Sequence, residues 1–191
     1  MTDGVLYWER PRDWARCETD GRTALKGVQS MAKFAVNRAS LMKYQGKELS
    51  DALFSLMQSA NMGEKEAKWL SGLTRGQRTL YLLGQFDGTV CSDGLYDFFL
   101  SSAGDWTVST LDALRLVGAA PVADLLDRAA KRFPNGCPSP DREERHEALE
   151  KLSIRTFRDI EDQYFSLRDE GKGALDYLAR YLQSHEAEFF S

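Results

Sequence analysis

The sequence predicts an all-α fold, a single-domain array of roughly eight to ten short helices. Three observations carry this. Apolar residues recur at the 3.6-residue helical period from Leu25 to Phe189. No stretch alternates apolar and polar residues with β-branched side chains, as a half-buried strand would. Glycine and proline punctuate the periodic runs at short intervals. With 191 residues, 42% of them hydrophobic, the chain has enough apolar material for one core and too much for a disordered segment.

Residues 1–20 carry Trp8, Pro11 and Trp14 without a helical period and read as an extended arm whose aromatics dock on the body. Leu25, Val28, Ala32, Ala35, Val36 and Ala39 form the stripe of an amphipathic helix. Leu53, Leu56, Met57 and Ala60 repeat it after Gln45-Gly46, and Ala67, Trp69 and Leu70 mark a short helix beyond Gly63. Thr74-Arg75-Gly76-Gln77 has the form of a capping box, a hydroxyl at the N-cap and an amide three residues on. Leu80, Leu83, Phe86, Asp87 and Val90 follow at helical spacing. Asp87 interrupts that apolar face, so it lies at its edge or is held there by partners. Gly84 and Gly88 cost helix propensity, which a close-packed neighbour or a flexible segment would account for.

Val108, Leu111, Leu114 and Val117 define the next helix, closed by Gly118, a residue that accepts positive φ. Pro121 opens a helix burying Val122, Leu125, Leu126, Ala129 and Phe133. Pro134-Asn135-Gly136-Cys137-Pro138 is a loop, and Ser139-Pro140-Asp141 reads as N-cap, first turn and dipole-favoured acid. Leu149, Leu152, Ile154, Phe157, Ile160 and Tyr164 continue the apolar pattern; Leu175, Leu178, Leu182 and Phe189 form the last stripe after Glu170-Gly171-Lys172-Gly173.

Between these helices lies an aromatic block flanked by Gly94 and Gly104. From Ser92-Asp93-Gly94-Leu95 through Tyr96, Asp97, Phe98-Phe99, Leu100 and Ser101 to Gly104 it resembles the signature of the bacterial DNA-mimic protein family. Leu111-Asp112-Ala113-Leu114-Arg115-Leu116-Val117-Gly118-Ala119, the run Phe157–Phe165 and Tyr181-Leu182-Gln183-Ser184-His185 extend the resemblance over about residues 74–190. The chain departs from the family pattern at polar positions, with Ser92 for Asn, Asp93 for Gly, Asp97 for Gln and Ser101 for Asn. The resemblance implies an all-α domain, 74–191, of the DNA-mimic type. Residues 1–73 form an N-terminal arm and helices outside it, packed on the body or paired through their positive charge within one molecule or across a homodimer. For a studied member the resemblance also implies binding to a DNA-binding transcription factor, with carboxylates standing in for phosphates.

Such mimicry needs acids gathered on one face. The net charge is −4 overall, but +3 over residues 1–75, −2 over 76–140 and −5 over 141–191. Glu143, Glu147 and Glu150 share a helical face by i, i+4, i+7 spacing; Asp159, Glu161 and Asp162 follow, and Asp87, Asp93 and Asp97 cluster near the aromatic block. These nine are the candidate partner-binding residues. Interleaved Arg142, Arg145, Lys151, Arg155, Arg158 and Arg168 supply the competing reading, a solvated face of i, i+4 ion pairs.

No catalytic residue, metal ligand or cofactor motif stands out. His146 and His185 lack a neighbouring nucleophile; His185 reads as a core-edge position in the last stripe. The glycines form neither a dinucleotide fingerprint nor a phosphate loop. Cys17, Cys91 and Cys137 are sparse and odd in number, as in a reduced cytosolic chain. The charged N-terminus and the lack of a long apolar run predict a cytoplasmic protein with no membrane contact, and the acidic balance (pI near 5.3) argues against direct nucleic-acid binding. The expectation is a non-enzymatic interaction domain for a basic partner protein, a transcription factor or a toxin it neutralises as an immunity protein. The alternative is a small-ligand-binding or hydrolytic domain using the aromatic block with Asp93 and Asp97.

Overall fold

The computed structural model describes residues 37–41, 43–60 and 66–190. Among them are nine α-helices and no strand: α1 Gly46–Ala60, α2 Glu66–Gly72, α3 Arg75–Ser92, α4 Leu95–Leu100, α5 Thr107–Leu116, α6 Ala120–Ala130, α7 Arg142–Glu150, α8 Arg158–Asp169 and α9 Ala174–Ser184. Short 3₁₀ turns at Arg38–Leu41, Ser102–Trp106, Ile154–Phe157 and Glu186–Glu188 complete the array. The arm and the helix expected between Leu25 and Ala39 fall almost wholly outside the described residues.

α3 is the spine. It buries residues all round, from Gly76 through Tyr81, Leu83, Phe86 and Val90, because α1, α4, α5 and α9 pack on different sides of it. α1 contributes Leu49, Leu53 and Met57 to the core and lies along α9. α6 joins α5 to α8, and α7 packs on α4.

The local signals behave as chemistry requires. Thr74 Oγ1 accepts from the Gln77 amide (3.2 Å) and Gln77 Oε1 accepts from the Thr74 amide (3.1 Å), closing the capping box. Both side chains also reach the C-terminal turn, Thr74 donating to the Glu188 carbonyl and Gln77 to that of Phe189. Gly118 ends α5 with φ +78°, and proline occupies the first turn of α6. Gly84 has the close-packed neighbour its cost demands: a Cβ there would lie 2.5 Å from the Phe54 ring. Gly88 has none within 4 Å.

Three expectations change. Asp141, rather than Ser139, caps α7, accepting from the Glu144 amide at 3.1 Å, while Ser139 Oγ accepts from the Asp141 amide at 3.1 Å. Ile154 is 68% exposed instead of core, since the turn at 154–157 inserts Phe157 inward and leaves Ile154 outside. His185 is exposed and stacks flat on Tyr181 at 4.0 Å, past the end of α9. Cysteine chemistry also divides: Cys91 is a free thiol, whereas Cys137 is disulfide-bonded, a connectivity that spacing alone does not encode.

Candidate functional site

The aromatic block is core. Phe98 and Phe99 are fully buried. Phe86 meets Phe98 edge-on at 5.3 Å, Phe98 meets Phe99 at 5.2 Å, and Phe99 meets Phe133 at 4.9 Å and Phe157 at 5.3 Å. These rings lock α3, α4, the loop after α6 and the turn before α8 together.

Three of the nine candidate acids are engaged within the fold. Asp87 is 5% exposed. Its Oδ1 accepts from the Tyr164 hydroxyl and lies 3.3 Å from Arg168 Nε, so α8 answers the charge that interrupts the apolar face of α3. Burial, reinforced by the Asp87 charge, raises the Tyr164 phenol well above its ordinary range and lifts the Cys91 thiol to about 11. Asp159 is gripped at both oxygens by Arg132, 2.7 Å each, and this hydrogen bonding holds its carboxyl below the usual range. Glu161 accepts the Leu95 amide at 2.7 Å. That amide opens α4, whose N-cap, Gly94 at φ +91°, has no side chain to offer. A Cβ at Gly94 would lie 2.8 Å from Glu161 Oε1, so the glycine and the remote carboxylate are one device.

Asp93 is exposed and accepts from Ser92 Oγ at 2.8 Å, while Asp97 is half-buried in the first turn of α4. Asp162 is exposed on α8. Glu143, Glu147 and Glu150 are exposed along α7, and no ion pair engages them among the described residues.

Of the interleaved bases, Lys151 stands four residues after Glu147, is exposed and forms no ion pair among the described residues, and Arg142 and Arg145 lie within α7 itself. Both are taken elsewhere. Arg142 pairs with Asp105 at 2.7 Å. Arg145 is 0% exposed, the largest fully buried side chain of the described residues. Its guanidinium donates to the carbonyls of Phe99 (2.6 Å), Ser139 (2.7 Å) and Ser101 (3.2 Å) and to Asp105. Gly104 makes room for it: a Cβ there would lie 2.9 Å from Arg145 Nε and 2.7 Å from the Phe99 carbonyl oxygen. The signal for this burial was present, since Arg145 stands four residues before Leu149 and seven before Leu152, on the apolar stripe. α7 thus buries Arg145 and ties the exposed Arg142 to Asp105, while Glu143, Glu147 and Glu150 face solvent.

The DMP19-like protein family model matches residues 71–185, well over half the chain. The chain belongs to the DMP19-like family. No curated protein and no solved structure matches it. The DMP19-like match covers α3 through α9 and contains every element that builds the α7 face. Among the described residues no group of three or more His, Cys, Asp or Glu side chains is arranged to hold a metal ion, and no helix is long and apolar enough to cross a membrane.

Proposed function

We propose that this DMP19-like chain binds a partner protein with a basic surface through Glu143, Glu147 and Glu150, as a DNA-mimic regulator of a DNA-binding transcription factor. One observation carries the reading: both arginines of α7 are tied to Asp105 and to backbone carbonyls, and the three carboxylates stand exposed with no ion pair among the described residues. Helical rise spaces them at about 6 Å and 4.5 Å along the axis. A single DNA strand carries one charge per about 3.4 Å. The face therefore approaches the charge density of a short backbone segment, enough to occupy part of a phosphate-binding surface. Asp87, Asp159 and Glu161 do not belong to this face, because internal partners hold them. The buried rings of Phe98 and Phe99 give no support to a ligand site in the aromatic block.

The test compares the immobilised wild-type protein with the Glu143→Gln/Glu147→Gln/Glu150→Gln variant in capture from native cytosol at low salt, with salt-step elution and mass spectrometry. A basic DNA-binding protein retained by the wild type and lost by the variant is the expected result. Equal retention by both, or elution insensitive to salt, overturns the proposal. A basic toxin in the same eluate would keep the acidic face and replace the regulator by an immunity role.

A further inference from the structure

The cysteines carry an inference about regulation, and its functional half rests on the reading of α7 given above. The chain holds three of them, Cys17, Cys91 and Cys137. Cys91 is a free thiol and Cys137 is disulfide-bonded. Cys17, which lies outside the described residues, is the one cysteine left in the chain to hold Cys137. Cys91 is a poor competitor for exchange: burial, reinforced by the Asp87 charge, lifts its thiol to about 11, so little thiolate forms near neutral pH. Cys137 sits in a loop that the fold fixes on both sides. The Gly136 amide donates to the Phe133 carbonyl at 2.8 Å, with Gly136 at φ +74°. Pro138 is buried, and Arg145 of α7 donates to the carbonyls of Ser139 (2.7 Å) and Pro140 (3.4 Å). The sulfur is therefore presented at a set place, five residues before α7 begins.

Cys17 brings basic residues with it: Arg10, Arg12 and Arg16 precede it, against Glu9 and Asp13. An extended chain covers about 3.3–3.6 Å per residue, so Arg12 reaches about 17 Å from the bond, more than the roughly 10 Å that helical rise puts between Glu143 and Glu150. We infer that Cys17 and Cys137 form a reversible disulfide that ties the N-terminal arm to the root of α7 and sets its arginines against Glu143, Glu147 and Glu150. Disulfides of reducing compartments are characteristically transient and redox-sensing. Closure runs by exchange with glutathione disulfide. One cysteine thiolate attacks it and expels one glutathione; the second thiolate then displaces the other glutathione from the mixed disulfide. One protein S–S bond forms, the S–S bond of glutathione disulfide breaks, and two electrons and two protons leave on two glutathione thiols. In the closed state the arginines compete with a basic partner at the effective concentration of a short linker, on the order of millimolar. Reduction releases the arm and opens the face.

Two readouts on the full chain test this. In the first, the protein is equilibrated in glutathione buffers from reduced to oxidised, its free thiols are blocked with N-ethylmaleimide in denaturant, and it is digested without reductant. Mass spectrometry is expected to find the Cys17 and Cys137 peptides linked in the oxidised samples, both blocked in the reduced ones, and Cys91 blocked throughout. Cys137 free at every ratio, joined to Cys91, or joined to a second chain overturns the inference. In the second, fluorescein-labelled nona-arginine stands in for the basic partner in anisotropy titrations. Reduced wild type is expected to bind it about fivefold or more tighter than oxidised wild type, and Cys17→Ser to bind it equally in both buffers. Equal affinity of oxidised and reduced wild type overturns the gating. A Glu143→Gln/Glu147→Gln/Glu150→Gln variant that binds the peptide as tightly as wild type refutes the acidic face, and the gating with it. The linked peptide is scored separately, so failure of the disulfide and failure of the face are distinguishable. Circular dichroism of Cys17→Ser controls for folding.

Discussion

Replacing Arg145 by Met tests whether α7 is anchored by a buried cation. The apolar chain of Met fills most of the space, so the loss is chiefly in polar contacts. Three carbonyls, those of Phe99, Ser101 and Ser139, lose a charged donor. Stranding buried acceptors costs about 1 kcal/mol or more each. Asp105 loses a partner too, but it keeps Arg142 at 2.7 Å and some contact with water, so its share is small. The sum, about 3–5 kcal/mol, matches what breaking a buried charge network costs elsewhere. With a urea m-value of about 2 kcal/mol per molar, the unfolding midpoint should fall by about 2 M. The control is Arg142→Ala: it removes an exposed ion pair to the same carboxylate and should cost less than about 1 kcal/mol. Should the midpoint of Arg145→Met fall no further than that of Arg142→Ala, Arg145 does not hold the segments before and after it together.

Two further outcomes follow from contacts already described. Gly84 and Gly88 of α3 should respond with opposite signs in thermal unfolding: Gly84→Ala drives a methyl to 2.5 Å from the Phe54 ring and should destabilise by about 1–3 kcal/mol, whereas Gly88→Ala meets open space and should stabilise by about 0.5–1 kcal/mol. Cys91 should resist alkylation at pH 9 in the native protein and react readily once unfolded, because burial first, then the nearby Asp87 charge, hold its thiol protonated up to about 11 against an ordinary 9.0. By the same linkage, the unfolded thiol releases its proton at lower pH than the folded one, so stability declines as pH rises above 9; peptide mapping that finds Cys91 labelled in the native state at pH 9 would contradict this placement.

What the sequence disclosed depended on how local the cause was. The stripes of α3, α5, α6 and α9, the Thr74–Gln77 capping box and the Gly118 terminus are encoded within a few residues, and each is found where periodicity puts it. Asp87 was half legible: the interruption of an apolar face was visible, but Tyr164 and Arg168, which resolve it, arrive from another helix. Arg145 shared the apolar stripe of Leu149, yet its charged neighbours suggested a surface helix. The acids of α7 could be placed on one face from spacing. Where the two arginines of that helix go was not legible, because the tertiary partners Asp105, Phe99 and Ser101 decide it. Ile154 continued a pattern that the 3₁₀ turn breaks.

The loan of Glu161 to the first amide of α4 has a consequence for the order in which the protein assembles. A six-residue helix cannot nucleate alone in water, and this one lacks a cap of its own. Its cap lies 66 residues downstream. During synthesis the segment that seats Phe98 and Phe99 leaves the ribosome long before α8 exists, and it stays without a stable helix until α8 docks. Closure of that long loop opposes the folding transition entropically, so the centre of the core belongs to a late step governed by a non-local contact. A nascent chain halted before Glu161 would hold its most aromatic segment open to water, and to chaperones.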